Sequence, residues 1–222
     1  MSKELVLFYG RTGSTAIYNT LVELRGFDRP EALPSEFHTE NFIEGSRIIN
    51  TLDDWVVKFH FSLSKDTPLL FYFIETQKPD IIYYSWRKNI LDTYLSLIVA
   101  RETEVWNSQQ KETHEPFFVE NIHWYTSAML TNLNSICALQ YDLFNKYNVI
   151  PVEYEQMFAS GELPTNIPIH TKIVKQKTLE EKMLLIKNLD HVMADYYRIL
   201  WKFKFDDSGW LTGPTLYSNT YE

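Results

Sequence analysis

The sequence predicts one α/β domain, residues 1–222, with a mostly parallel central sheet flanked by helices. Short apolar runs alternate with longer segments of helical periodicity along most of the chain, and this alternation is typical of parallel strands joined by crossover helices. The length of 222 residues is sufficient for a sizeable core. Hydrophobic residues make up 45% and charged residues 23%, a balance that is typical of globular proteins.

Four apolar runs are predicted to be strands, because each is short and bounded by turn-forming or polar residues. In chain order they are residues 5–9, 55–61, 80–86 and 149–152. The first run ends at Gly10 and has almost no polar residue. It is therefore predicted to be a buried strand of a parallel sheet.

Helices are predicted in the intervening segments. Ser14–Arg25 places Ile17, Leu21 and Leu24 on one face and is followed by Gly26, a typical helix stop. The other predicted helices are residues 68–76, a helix capped by Asn89 that runs to about Trp106, residues 117–147 with a break, and residues 179–202. Residues 28–50 are predicted to be a long loop with one short helix, and loops of such length are usually functional. Residues 203–222 form a loosely assigned C-terminal tail.

Composition limits the partners and the compartment. The net charge of −8 disfavours nucleic acid as the main partner, so any anion site must be a local basic pocket. The single cysteine, Cys137, excludes an internal disulfide and is compatible with a reducing compartment. The sequence starts without a signal-peptide pattern and contains no apolar run of membrane-spanning length. We therefore expect a cytoplasmic protein without membrane insertion; the sequence gives no prediction of its oligomeric state.

The connection between the first strand and the first helix has the chemistry of an anion-binding site. Residues 10–15 (loop 10–15) would lie at the helix N-terminus, where free N–H groups and the positive end of the helix dipole meet. Gly13 allows close approach of the backbone, and Ser14 and Thr15 add hydroxyl groups. Arg11 adds a permanent charge with several donors. The alternative interpretation is an ordinary turn with a Ser/Thr cap.

A second group of polar residues follows the strand at 80–86. Arg87 and Lys88 come at the strand end, and Ser96 lies two helical turns beyond Asn89, on the same helix face. A cation at the strand end and a helix hydroxyl together would hold a second phosphate. The alternative is that Arg87 and Lys88 are solvated and that Ser96 is a small packing residue.

Together these two groups resemble the sulfotransferase family. Tyr9-Gly-Arg-Thr-Gly-Ser-Thr15 resembles that family's 5′-phosphosulfate loop, and residues 81–106 resemble its 3′-phosphate element. The form Arg-Thr-Gly-Ser-Thr and the string Ser96-Leu-Ile-Val-Ala-Arg-Glu-Thr-Glu-Val-Trp106 are most similar to the trehalose sulfotransferase branch. Val57-Lys-Phe-His-Phe61 and Val152-Glu-Tyr-Glu-Gln-Met-Phe158 resemble two further family segments. The resemblance covers residues 4–158.

The resemblance implies a P-loop-like three-layer fold and the donor 3′-phosphoadenosine 5′-phosphosulfate. The residues that would bind the 5′-phosphosulfate are Arg11, Thr12, Gly13, Ser14 and Thr15, and Ser96 would bind the 3′-phosphate. The family's basic residue eight positions before the serine is Lys88 here, where arginine is usual, and Arg87 precedes it. Either cation is therefore a candidate for the 3′-phosphate. The acceptor class that the resemblance implies is a carbohydrate hydroxyl.

Sulfuryl transfer requires positioning and fixed positive charge. Arg11 is expected to stabilise the departing phosphate, and no metal ion is expected, because the six histidines are scattered along the sequence.

Two residues compete as proton acceptor. Glu36 resembles the acidic base of the trehalose branch and is slightly favoured; His60 resembles the base of the cytosolic branch. Lys58, next to His60 in the strand, is interpreted as more often solvated than functional.

Two other function classes remain open from the sequence. The first is a nucleotide kinase or a related phosphotransferase, which the absence of Gly-Lys-Ser/Thr disfavours. The second is a non-catalytic scaffold that docks a partner through the aromatic tail with Trp210, Tyr217 and Tyr221. The alternative for the tail, which we favour, is that it packs on its own domain.

Overall fold

The computed structural model describes residues 2–38, 40–60, 66–105, 114–169, 177–200, 203–205 and 211–214. The chain forms two compact units. The first consists of Met1–Lys88 and Leu139–Val174, and the second of Asn89–Ala138 and Lys175–Glu222. The predicted tail residues Trp210, Tyr217 and Tyr221 lie outside the described residues.

The first unit contains a four-stranded, all-parallel sheet flanked by helices, so the predicted α/β fold is confirmed. Its strands are β1 (Lys3–Phe8), β2 (Trp55–His60), β3 (Ile81–Trp86) and β4 (Val149–Glu153), and they lie in the order β2-β1-β3-β4. All four were predicted within two residues at each end. The strand sequences are mainly apolar because both faces of this sheet are covered.

The register brings three strand ends together at one edge of the sheet. Phe8, the last residue of β1, pairs with His60 at the end of β2 and with Ser85 near the end of β3. The segments that follow these strands therefore leave the sheet from the same edge. In open parallel sheets, ligands bind outside this carboxyl edge.

The helices of the first unit are α1 (Ser14–Arg25), α2 (Phe42–Ile49), α3 (Asp66–Gln77) and α6 (Tyr154–Ser160). The bounds of α1 agree with the prediction, and Gly26 caps it in the left-handed conformation. Ile17 and Leu21 are buried as expected, but Leu24 is 43% exposed. Leu24 therefore shares a helix face with Ile17 and Leu21 without belonging to the core. The one short helix expected in residues 28–50 is α2.

The second unit contains α4 (Ile90–Glu102), α7 (Leu179–Leu184), α8 (Leu189–Leu200) and the hairpin β5 (Phe203–Phe205) and β6 (Leu211–Pro214). The hairpin was not predicted. Asn89 caps α4 as predicted, since its Oδ1 accepts a hydrogen bond from Asp92 N at 2.9 Å. The helix ends at Glu102 rather than near Trp106, which lies outside the described residues.

Two helix predictions are corrected. The segment predicted as helix 117–147 with a break is α5 (Ile122–Lys146), which is continuous and begins later. The segment predicted as one helix over 179–202 is divided between α7 and α8. Phe117 explains the division, because it pairs with the backbone of Leu185 and Lys187. The Asn188 side chain adds two 2.9 Å hydrogen bonds to the backbone of Val119. These contacts take backbone groups that a continuous helix would use.

Candidate functional site

Loop 10–15 follows β1 at the carboxyl edge of the sheet and has two residues in the left-handed conformation. Arg11 has a φ of 70° and Gly13 a φ of 80°. A residue with a side chain adopts this conformation at a cost of roughly 1–2 kcal/mol. Strain of this kind at Arg11 persists only where surrounding contacts fix the loop.

Hydrogen bonds to the backbone carbonyl groups fix the loop. Thr12 Oγ1 donates to Tyr9 O at 2.9 Å, and Ser85 Oγ donates to Thr12 O at 2.6 Å. Arg87 Nη1 donates to Arg11 O at 3.3 Å. Three side chains, two of them from the end of β3 and just beyond it, therefore hold the backbone of residues 9–12 by its carbonyl groups. Thr12 is 1% exposed, so its hydroxyl stabilises the loop instead of facing solvent.

The N-terminus of α1 offers backbone donors next to the loop. The first helical hydrogen bonds are donated by Ala16 and Ile17 to Gly13 O, so the N–H groups of Ser14 and Thr15 precede the first donors of the helix. The first turn contains no acidic residue. Both features favour an anion at this end of the helix. The sequence prediction of an anion-binding loop is therefore compatible with the observed geometry.

We expect Gly13→Ala to destabilise the protein more than Gly26→Ala. Both glycines have a positive φ, but a Cβ at Gly13 would lie 2.8 Å from Tyr154 Cδ2, whereas a Cβ at Gly26 meets nothing within 4 Å. Gly26→Ala should cost about 1–2 kcal/mol from backbone strain, and Gly13→Ala about 2–5 kcal/mol, because overpacking adds to that strain. Urea unfolding measures the free energy of unfolding of both variants. An equal loss of stability in the two would contradict the close packing of Tyr154 on the loop.

A second group of side chains lies at the edge of the sheet, beside β2. Phe37 forms an isolated parallel bridge with Phe59, in which Phe37 N donates to Lys58 O at 2.8 Å and His60 N donates to Phe37 O at 3.2 Å. Both phenylalanines are 0% exposed. Because side chains alternate along extended backbone, the flanking residues point to the opposite face. Those residues, which we call the edge cluster, are Glu36, His38, Lys58 and His60.

The carboxylate of Glu36 is the centre of the edge cluster. Its Oε1 lies 3.1 Å from His38 Nε2, and its Oε2 lies 3.3 Å from Lys58 Nζ. The His38 and His60 rings are 5.5 Å apart between centroids. Burial by itself raises the pKa of Glu36, but the hydrogen bond from His38 and the charges of Lys58, His60 and His38 outweigh it and lower the pKa to about 2. Glu36 is therefore ionised at neutral pH.

The edge cluster adjoins loop 10–15. A Cβ placed on Gly10 would lie 3.8 Å from His60 Nε2, so the imidazole lies against the first residue of the loop. The ligand atoms of Glu36, His38 and His60 also all lie within 4.8 Å of one another. In the sequence the histidines were read as scattered; the fold brings two of them together with a carboxylate.

The structure corrects the interpretation of Lys58 as a solvated residue. Lys58 is only 7% exposed, and its ammonium group lies 5.5 Å from the centroid of Phe8 and 5.6 Å from that of Tyr18. A buried ammonium group needs a carboxylate partner, which here is Glu36. The alternation of polar and apolar residues in Glu36-Phe37-His38 and Lys58-Phe59-His60 is the sequence signal that could have indicated this group.

Glu36→Gln is expected to change acid stability. Because the pKa of Glu36 is lowered from 4.5 to about 2, its charge stabilises the fold above about pH 4.5, and this contribution is lost as the pH falls toward 2. The variant should therefore be less stable by about 1–3 kcal/mol at neutral pH, and the difference should shrink between pH 4.5 and 2. Urea unfolding in EDTA measures it; a difference that does not vary with pH would contradict the ion pair.

Arg87 and Lys88 occupy different environments. Arg87 is 4% exposed, so its interpretation as a solvated residue is wrong. Its guanidinium carbon lies 4.1 Å from the centroid of the Tyr154 ring, and its Nε lies 3.5 Å from Glu155 Oε1. Lys88 is exposed, and its N–H donates to Glu155 Oε2 at 3.0 Å. Sequence reasoning did not assign a role to Tyr154 or Glu155, although it singled out their segment.

Ser96 lies on α4 in the second unit and is 2% exposed. The same unit has a buried ion pair between Lys182 and Asp92, in which Lys182 belongs to α7. A role of Ser96 in phosphate binding stays a prediction.

Comparison with known proteins gives no assignment. No protein-family model matches this chain, and the search of curated proteins gives no match either. No helix in the described ranges combines the length and the apolar character that crossing a bilayer requires. The functional interpretation therefore depends on the residues and the geometry described above.

Proposed function

We propose that this protein is a sulfotransferase that moves a sulfuryl group from 3′-phosphoadenosine 5′-phosphosulfate to an acceptor hydroxyl. The observation that carries the proposal is that loop 10–15 and the edge cluster adjoin each other in the first unit. A site with fixed donors for an anion next to a group that accepts a proton matches what sulfuryl transfer requires. The resemblance supplies the identity of the donor, and it points to carbohydrates as the acceptor class.

In the proposed reaction, the acceptor oxygen attacks the sulfur of the donor, and the bond from sulfur to the 5′-phosphate oxygen breaks. The electron pair of that bond stays on the departing phosphate, which gives 3′-phosphoadenosine 5′-phosphate and a sulfate ester. Arg11 and the N–H groups of Ser14 and Thr15 stabilise the charge that develops on the phosphate. The proton of the acceptor hydroxyl passes to the protein.

Within the edge cluster we assign this proton to His60. Its Nε2 lies next to Gly10, whereas the two oxygens of Glu36 are engaged by His38 and Lys58. Glu36 then acts as a positioning residue that holds the cluster together and favours the protonated imidazole. This assignment differs from the slight preference for Glu36 that the sequence alone supports.

For the 3′-phosphate we favour Lys88 over Arg87. Lys88 is exposed, and its position eight residues before Ser96 matches the family pattern. Arg87 is buried against Tyr154 and contacts Glu155 and the backbone of Arg11. Its role in the proposal is to fix loop 10–15.

A melting experiment tests the proposal. 3′-Phosphoadenosine 5′-phosphate at 100 times its Kd should stabilise the protein by about 2.7 kcal/mol, which is several degrees in Tm for a chain of this size. ATP with Mg²⁺ should give no shift. Stabilisation by ATP and Mg²⁺ alone would support the kinase alternative, and the absence of any shift would overturn the proposed donor binding.

A further inference from the structure

The edge cluster has the donor set of a transition-metal site. Glu36 offers a carboxylate oxygen, and His38 and His60 each offer an imidazole nitrogen, all within 4.8 Å of one another. Zinc bonds of about 2.0–2.1 Å in tetrahedral geometry place neighbouring ligand atoms about 3.3 Å apart. The distance of 3.1 Å between Glu36 Oε1 and His38 Nε2 is close to that separation.

The backbone that carries these ligands is fixed before any ion arrives. The bridge between Phe37 and Phe59 has two hydrogen bonds, and both rings are buried in the core. The ligand residues flank these anchors on each side, so binding an ion requires only small side-chain movements. The side chain of His38 is 44% exposed and that of Glu36 is 29% exposed, so an ion can enter from solvent.

One neighbouring charge competes with a metal ion for the carboxylate. Lys58 Nζ contacts Glu36 Oε2, and Oε1 contacts His38 Nε2, so a bound ion would take the place of the hydrogen bond between Oε1 and His38. Two imidazole nitrogens favour Zn²⁺, Co²⁺ or Ni²⁺ over Mg²⁺ and Ca²⁺, which prefer oxygen ligands.

We propose that Glu36, His38 and His60 bind a divalent transition-metal ion of the zinc class. Three protein ligands leave at least one coordination position for water or another oxygen ligand, as in catalytic zinc sites. The metal site itself does not depend on the sulfotransferase proposal. The effect of the ion on activity does depend on that proposal. A bound ion occupies the His60 lone pair that would take the proton of the acceptor, so the ion should inhibit sulfuryl transfer.

Calorimetric titration of EDTA-treated protein with ZnCl₂ tests the site. We expect one ion per chain, with no binding of MgCl₂ under the same conditions. His38→Ala and His60→Ala should each weaken zinc binding at least about 10-fold. His191→Ala is the matched control, because His191 is exposed on α8, away from these ligands in sequence, and it should bind zinc normally. Absence of zinc binding, or normal binding by both ligand variants, would overturn the proposal.

Lys58→Met gives an independent check that preserves all three ligands. Removal of the positive charge should tighten zinc binding, because Glu36 no longer shares its charge with an ammonium group. Weaker binding in a variant whose circular dichroism is unchanged would contradict the proposed ligand role of Glu36.

Cobalt(II) supplies a measurement that needs no variant. A site with two imidazoles and a carboxylate should give intense visible absorption typical of four- or five-coordinate cobalt(II), and a weak six-coordinate spectrum would contradict it. The melting shift with 3′-phosphoadenosine 5′-phosphate, measured on metal-free protein, separates the two proposals. If zinc binds and the nucleotide gives no melting shift, the metal-site proposal stands and the sulfotransferase proposal is overturned. If the nucleotide gives a shift and zinc does not bind, only the metal-site proposal is overturned.

Discussion

Arg11→Gly is expected to weaken binding of 3′-phosphoadenosine 5′-phosphate about 10- to 100-fold, because a guanidinium hydrogen bond to a charged group contributes about 1.5–3 kcal/mol. Turnover of the sulfated donor should fall further, about 100- to 1,000-fold, since the charge on the departing phosphate grows in the transition state. Calorimetry with the bis-phosphate and release of product in the presence of trehalose measure the two effects.

The same variant should fold normally. Arg11 has a φ of 70°, a conformation that glycine adopts without steric cost. The relief of strain and the greater entropy of the unfolded chain nearly offset each other, so the free energy of unfolding should stay within about 1 kcal/mol of the original. A loss of binding in Arg11→Gly therefore reports the lost cation.

Lys78→Gly is the matched control for Arg11→Gly. Lys78 also has a positive φ, of 48°, and is exposed between α3 and β3. The control removes one cation and one strained residue without changing loop 10–15. It should bind the bis-phosphate normally, and equal losses in both variants would mean that only the overall charge matters.

His60→Asn is expected to lower kcat about 100- to 10,000-fold, the usual range for removal of a general base. The KM for the donor and the affinity for 3′-phosphoadenosine 5′-phosphate should stay unchanged, because in the proposed reaction the imidazole takes the proton of the acceptor and does not bind the phosphate. Product release in the presence of trehalose, measured in EDTA, gives kcat and KM. A loss of donor affinity equal to the loss of kcat would contradict the assigned role.

Two comparisons make the His60 result specific. His191→Asn, on α8 in the second unit, should leave kcat unchanged. Glu36→Gln should lower kcat less than His60→Asn does, because it removes a positioning charge and leaves the imidazole. If Glu36→Gln abolishes turnover and His60→Asn does not, the proton acceptor is Glu36, as the sequence favours.

The four strands and the first helix of the first unit were predicted from local patterns, whereas α6 was not predicted. The four strands lie in mainly apolar runs, and Ser14–Arg25 ends at a glycine whose left-handed conformation stops the helix. These features depend on residues close in sequence, so periodicity and turn chemistry identify them. Loop 10–15 was predicted for the same reason, since a strand end, a glycine and a helix start are adjacent along the chain.

The helix predictions failed where distant residues decide the backbone. The pattern over 179–202 has one continuous period, but the contact of Phe117 with Leu185 and Lys187 divides it. Such a contact joins segments that are far apart in sequence, and no local pattern reports it. The burial of Arg87, which the sequence left open, has the same origin, because the ring of Tyr154 that covers it belongs to α6.

The sequence by itself determined the parallel sheet, the first helix and the position of loop 10–15 at a strand end, because hydrophobic periodicity and glycine chemistry act locally. Only the tertiary structure decided that Glu36 and His60, which the sequence presents as competitors, belong to one cluster with His38 and Lys58. The physical reason is a single parallel bridge, Phe37 to Phe59. Burial of its two rings in the core places the four polar side chains together on the other face.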